Sequence, residues 1–274
     1  MELVFTNLHL AGALPTEPPR YPFAERVAAV AAAGATGIAT TAAELDGLIA
    51  DRSPAAVRDL LDGHGVRLME LEAMFGWFAG DREPEESLFR HAETFGVPRI
   101  KTAVLLIPPA ELPPADVLAE RFAGLCDRAA AHGTVIALEP VVVLPGFDHV
   151  AAHDLIRAVD RPGVGLIFDA WHVFRDPAAL PVVKAVAARH VAGLELTDGR
   201  ATPRADLLDD CLNDRLLPGE GDFDLAGLVT ALRATGAEVP VSVEVLSESL
   251  RRLAPRENAK RTVAATAALF ERVG

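Results

Sequence analysis

Four stretches, TVIALE (134–139), VGLIFD (164–169), VAGLE (191–195) and VSVE (241–244), run through apolar residues and stop on an acid: Glu139, Asp169, Glu195 and Glu244. Short runs rich in Val, Ile and Leu without strict polar alternation read as strands buried on both faces, the mark of a parallel sheet covered by helices. The residue two places before each acid shares its strand face. Those positions hold Ala137, Ile167, Gly193 and Ser242, so three of the four acids stand above a small side chain, with room between them.

Four similar runs precede these, at 3–10, 36–41, 66–73 and 99–106, and extending the quoted stretches gives 134–143, 164–169, 191–197 and 241–246. Between the runs lie Ala-rich helical segments such as FAERVAAVAAAG, DVLAERFAGLCDRAAAHG and DLAGLVTALRATG, several ending at Gly as helices tend to. Eight strand-helix units share 274 residues, roughly 34 each, against a minimum of roughly 30 for one such unit. The fold class is therefore α/β, a (β/α)8 TIM barrel, with 1–274 as a single domain; such barrels typically need ~250 residues. The stretch 42–65 reads as two short helices split at Ser53-Pro54, and the proline-rich IPPAELPPAD as a rim loop leading into a helix. After the seventh strand, residues 198–222 form a long connection with a helical piece, RADLLDDCLNDR, and the turn-rich LPGEGDFD. Long loops at the C-terminal rim of a barrel are usually functional.

Composition narrows the function. A net charge of -13 repels phosphate backbones, so a nucleic-acid partner is not expected. The two cysteines, Cys126 and Cys211, have no metal-binding spacing and suggest neither a disulfide framework nor a structural zinc. The first ten residues lack a basic region and a long apolar stretch, and no apolar run approaches the ~20 residues needed to cross a bilayer. The expectation is a cytoplasmic protein with no membrane partner.

Catalytic groups of such barrels come from the C-terminal ends of strands, which is where Glu139, Asp169, Glu195 and Glu244 fall. One strand-end acid taken alone is as readily a helix cap or half of an ion pair. Four on consecutive strands, without a counter-charge, would push one another toward protonation, whereas a divalent cation satisfies all of them. They are the expected metal ligands. His172 follows Asp169 by three residues and would approach the same rim if the strand turned into a short helix. Glu70 and Glu72 share a strand face, and the outer one, Glu72, is a candidate for substrate contact or for pairing with Lys101 on the next strand. His9, Trp171 and Arg200 complete the candidate substrate-binding set with Glu72 and Lys101. Trp77, Phe78 and Phe174 are further candidates for the pocket wall, and Arg215 and Arg251 for anion binding, although such residues more often pack or serve as surface charge.

The motifs ALEP, FDAWH, ELTDGR, LPGEGDFD and SVEV, in this order, resemble the sugar phosphate isomerase/epimerase group of the xylose isomerase-like TIM barrels. The resemblance implies a divalent metal, often manganese, magnesium or cobalt, held by acids and a polar residue from strands 5 to 8, and a sugar-like small molecule as partner. Barrels of this group often pair, so a homodimer is the assembly it suggests. Glu139, Asp169 and Glu244 match the group's usual ligand types. Glu195 departs from the commoner histidine, and an all-oxygen set favours Mn2+ or Mg2+ over zinc. That departure also argues against the zinc-dependent endonuclease activity found elsewhere in the superfamily. The implied chemistry is proton abstraction next to a metal-bound carbonyl, with Glu139 and Glu244 as the catalytic pair on opposite sides of the substrate. Return of the proton to the other face gives epimerisation, and to the other carbon, isomerisation. Loss of a hydroxyl, with His172 as acid, gives dehydration of a keto-cyclitol or a lyase reaction on a 3-oxo sugar. A barrel that binds a metabolite without turning it over is the remaining reading.

Overall fold

A computed structural model of the chain describes residues 2–108, 110–144, 146–238 and 240–274. Eight strands, β1 (Leu3–Phe5), β2 (Gly37–Thr41), β3 (Arg67–Met74), β4 (Arg99–Ala103), β5 (Val135–Glu139), β6 (Gly165–Asp169), β7 (Val191–Leu196) and β8 (Val241–Val243), close into a barrel in chain order. Every neighbouring pair is parallel, including β8 against β1. This is a single-domain (β/α)8 barrel. Among the described residues no helix is long and apolar enough to cross a membrane.

Local chemistry explains where the elements stop. In 42–65 the chain forms two helices, Ala42–Asp51 and Pro54–His64, as the break at Ser53-Pro54 predicts. The Ser53 hydroxyl accepts from the Ala56 amide, Pro54 occupies the first turn, where no donor is needed, and Gly65 ends the helix in the left-handed region. The proline-rich loop after β4 leads into the helix Ala115–Ala131, again as expected. The first run departs from its reading: β1 stops at Phe5, and Asn7–Ala11 winds into a short helix closed by Gly12 at φ 68°. An apolar run alone does not separate strand from buried helix. Here the Asn7 amide donates to Glu72 Oε1 rather than to a neighbouring strand.

Two kinds of interior result. Between sheet and helices lies one apolar cluster that includes Phe5, Phe23, Leu45, Leu71, Phe122, Leu138, Phe168 and Leu228. Trp77 and Phe78, candidates for the pocket wall, belong to it; the Trp77 ring lies 4.8 Å from Phe122. Inside the barrel, by contrast, β3 and β4 bury charge. Glu70 Oε2 lies 2.5 Å from Arg99 Nε, and Arg99 Nη1 donates to the Ala192 carbonyl across the barrel at 2.8 Å. Gly193 makes that crossing possible, because a Cβ there would lie 2.9 Å from Arg99 Nη1.

Candidate active site and metal cage at the barrel mouth

Glu139 and Asp169 are the last residues of β5 and β6, Glu195 sits in β7, and Glu244 lies one residue beyond β8. In register, Glu195 is level with Asp169 on one side and Ser242 on the other. One carboxylate oxygen from each of the four acids lies within 4.8 Å of the others. All four are buried, with Asp169 and Glu195 at 0 % exposure. Each is placed by its own local chemistry. Asp169 caps the helix Ala170–Arg175, its Oδ1 accepting from the amides of Trp171 and His172 at 2.6 and 3.4 Å. Ser242, the small residue below Glu244, instead turns its hydroxyl to Glu195 Oε1 at 3.4 Å.

The acids do not stand without counter-charge, and this corrects the sequence reading. Lys101 is level with Ala137 in β4, two residues below Glu139, and its long stem reaches up between the acids. Its Nζ lies 3.1 and 3.3 Å from the two oxygens of Glu195, 3.1 Å from Glu244 Oε1 and 3.6 Å from Glu139 Oε2. Besides the charge interaction with Glu72, Lys101 thus makes a triple contact with the cage. Arg215, from the long connection after β7, supplies a second cation. Its Nη1 donates to Asp169 Oδ2 at 2.7 Å and to the Glu244 carbonyl at 3.1 Å, while Nε and Nη2 are anchored on the Cys211 carbonyl and Sγ. No strand-end rule selects Arg215; its position depends on the fold of the connecting loop.

Burial, relieved in part by Lys101, pushes the Glu139 carboxyl up to about 8. It also raises Glu195 well above the usual carboxylate range. Glu244 goes the other way: burial works against it, but Lys101 and Arg215 together hold it below its ordinary value. Burial alone would lower the Lys101 ammonium, yet Glu195, Glu244, Glu72 and Glu139 hold it well above its usual range. With all four carboxyls ionised, one ammonium and one guanidinium would leave a formal charge of minus two, which one divalent cation would balance while holding the acids in that ionised form. The all-oxygen donor set therefore fits a hard ion. A second grouping, Glu139, Asp169 and His172, would add one nitrogen.

His172 lies where the short helical turn predicts. Its Nδ1 accepts from the Val142 amide at 3.3 Å, which leaves the proton of the neutral ring on Nε2, 3.5 Å from Glu139 Oε1. Burial, Arg215 and His149 keep the imidazole well below its usual pKa, so it is neutral. Glu72 faces the same interior, and burial raises its carboxyl to about 8. Trp171 is fully buried, donating Nε1 to Asp210 Oδ2 at 2.9 Å under the Arg215 guanidinium. Two candidates fall outside the cage. His9 spends both ring nitrogens on the protein, Nδ1 on the Val245 amide and Nε2 on Thr262 Oγ1, each at 2.9 Å. The Arg200 side chain is 63 % exposed and faces Asp214 at 3.5 Å. Arg251 binds the Leu212 carbonyl at 2.5 Å, and Phe174 stacks on Phe223, so both brace the rim loop.

Residues 27–269 match the family described as xylose isomerase-like TIM barrel. The chain belongs to that family. A 3-dehydroshikimate dehydratase of Pseudomonas aeruginosa is 28 % identical over 268 residues, covering 94 % of this chain but 40 % of that protein. This chain thus spans less than half the length of that relative. An inosose isomerase of Bacillus velezensis is 26 % identical over 238 residues, covering 81 % of this chain and 82 % of its own. Among solved structures, the IolI protein with a binding zinc atom superposes with a TM-score of 0.83 at 19 % identity, over 100 % of this chain and 99 % of that one. At that identity the likeness speaks for the fold.

Proposed function

We propose that this chain is an isomerase or epimerase that moves a proton next to the carbonyl of a sugar-like hydroxy-ketone, with ring ketones of the keto-cyclitol type as the first substrates to test. The observation that carries the reading is a closed cage in which one oxygen from each of Glu139, Asp169, Glu195 and Glu244 lies within 4.8 Å of the others, with Lys101 reaching in among them. Glu139 and Glu244 stand at the ends of β5 and β8, three strands apart around the barrel, so one would take the proton from carbon while the other returns it. In the reverse direction the two roles exchange. The names of the relatives support the substrate class, since one acts on inosose and another on 3-dehydroshikimate.

Glu139, Asp169, Glu195 and Glu244 are the acids that would hold a divalent ion, Mn2+ or Mg2+ by the hardness of their oxygens. Such an ion would polarise the substrate carbonyl and stabilise the negative charge that develops when the neighbouring carbon loses its proton. Arg215 and the two amides at the start of the helix Ala170–Arg175 keep Asp169 fixed, and Lys101 places a further positive charge beside the reacting atoms. Trp171, fully buried, packs against Arg215 and holds Asp210 in place. Both cysteines are buried and unpaired, in keeping with a reducing, cytoplasmic setting.

A second reading, dehydration, is favoured by the His172 geometry. Its Nε2 proton faces Glu139 from the rim, where it could pass to a departing hydroxyl. A proton leaves one carbon, the carbon–oxygen bond on the next carbon breaks, and water and a conjugated ketone result. The test is to incubate the Mn2+-loaded protein in D2O with a panel of ketoses and keto-cyclitols. Deuterium entering a product of otherwise unchanged composition supports the isomerase or epimerase, loss of water supports the dehydratase, and binding with neither supports a non-catalytic barrel.

A further inference from the structure

We infer that Lys101 is a resident cation of the cage, competing with a divalent ion for the oxygens of Glu195, Glu244 and Glu139 and so setting how tightly that ion is held. The inference rests on the metal reading above and concerns which residue controls it.

An ammonium has three hydrogen-bond donors and no acceptor. Those of Lys101 face three different acids, and each of them also belongs to the four-acid group that could hold a metal. Among the described residues Lys101 Nζ has no hydrogen-bond partner besides Glu195 and Glu244, and its contact with Glu139 completes the set. Arg215 is a different kind of cation. It is anchored on Cys211 and on the Glu244 carbonyl, so it would brace the cage whether or not an ion were bound. Lys101 has no such anchor. An ion held by the same oxygens would lie within a few ångströms of Nζ, and two unit charges ~4 Å apart in a partly screened interior repel strongly enough to change affinity by more than tenfold. Entry of the ion therefore requires the ammonium to give up Glu244 and Glu139. Glu195, which faces it with both oxygens, would keep one on the ammonium and turn the other to the ion. The donors released by that retreat would then be available to a substrate oxygen.

Manganese titrations of the metal-free protein and of Lys101→Met, by calorimetry and by the electron paramagnetic resonance of free Mn2+, test this directly. The variant keeps the stem and removes the charge. It is expected to bind Mn2+ at least about tenfold more tightly than the unaltered protein, and its melting temperature should rise more on adding Mn2+. Equal or weaker binding by the variant, with measurable binding by the unaltered protein, would overturn the inference and leave the metal reading standing. Absence of binding by both would overturn the two together. If the variant does not fold, crystals of the unaltered protein soaked in Mn2+ decide. Anomalous density touching Glu139, Asp169 and Glu244, with Nζ remaining on Glu195 alone, supports competition. Density with Nζ still against Glu244 and Glu139 refutes it.

Discussion

Glu139 and Glu244 are the same residue type in the same cluster, and their surroundings drive them apart. Burial dominates at Glu139, whereas Glu244 has both Lys101 and Arg215 within reach. Replacing Glu139 by Gln removes a proton donor at nearly constant shape. Exchange of substrate hydrogen with solvent should fall ~10²–10⁴-fold, the usual contribution of one acid or base, in a variant whose circular dichroism is unchanged; an undiminished rate would remove Glu139 from the chemistry. Arg215→Leu strips Asp169 of its partner while leaving the carboxylate buried. Urea unfolding should show a loss of about 3–5 kcal/mol, and a loss within the ~1 kcal/mol typical of surface pairs would mean that Asp169 is compensated elsewhere. The acids themselves were legible in the sequence because strand ends in such barrels carry chemistry. Their counter-ions were not: Lys101 comes from the interior of β4 and Arg215 from a loop, and only closure of the barrel brings both to the same acids. Lys101 was picked out as a partner for Glu72, whose charge it does feel, but its direct contacts with Glu195, Glu244 and Glu139 were not foreseen, because a flexible four-carbon stem reaches farther than register suggests.

At the scale of elements, the turn-rich end of the long connection after β7 is tied down by Asp198. Asp198 accepts from the amides of Gly199, Gly219 and Phe223 at 2.8, 2.9 and 3.1 Å, tying LPGEGDFD back to the strand. Gly221 packs so closely on it that a Cβ there would lie 2.4 Å from Asp198 Oδ1. Asp198→Ala should leave those three amides without their charged acceptor, cost ~1–3 kcal/mol, and speed amide hydrogen exchange at residues 199, 219 and 223. Unaltered protection there would show that the loop holds itself. Because this connection also carries Arg215, activity should decline with it. The length and turn chemistry of the loop marked it as functional, whereas the role of Asp198 as its anchor could not be read from one chain. The opposite failure occurred at β1, where residues 3–10 carry an apolar run that serves strand and helix equally, and a tertiary contact from the Asn7 amide to Glu72 decides between them.

For the molecule as a whole, a barrel interior rich in acids makes stability depend on pH. Glu72 and Glu139, raised to about 8 in the fold from 4.5, bind more protons folded than unfolded between those values. Stability is therefore present at low pH and is lost as pH rises through the folded values. His9, lowered to about 4 by burial, and His172, also lowered, act in the opposite sense below about 6.5, so the carboxyl effect is cleanest from there to about 8. In that window the melting temperature of chelator-treated protein should fall with pH, each carboxyl contributing up to about 1.4 kcal/mol per pH unit, and Mn2+ should flatten the decline; a rising profile would contradict the assignment. The same arithmetic of charge underlies the whole account, because the closed barrel gathers four acids and, among the described residues, two cations in contact with them at its mouth. Mn2+ titration of the protein beside a Glu139→Gln, Glu244→Gln double variant tests that claim most directly. The account predicts a single ion per chain in the unaltered protein and its loss in the variant, whereas no binding, or binding the two changes leave intact, would contradict it.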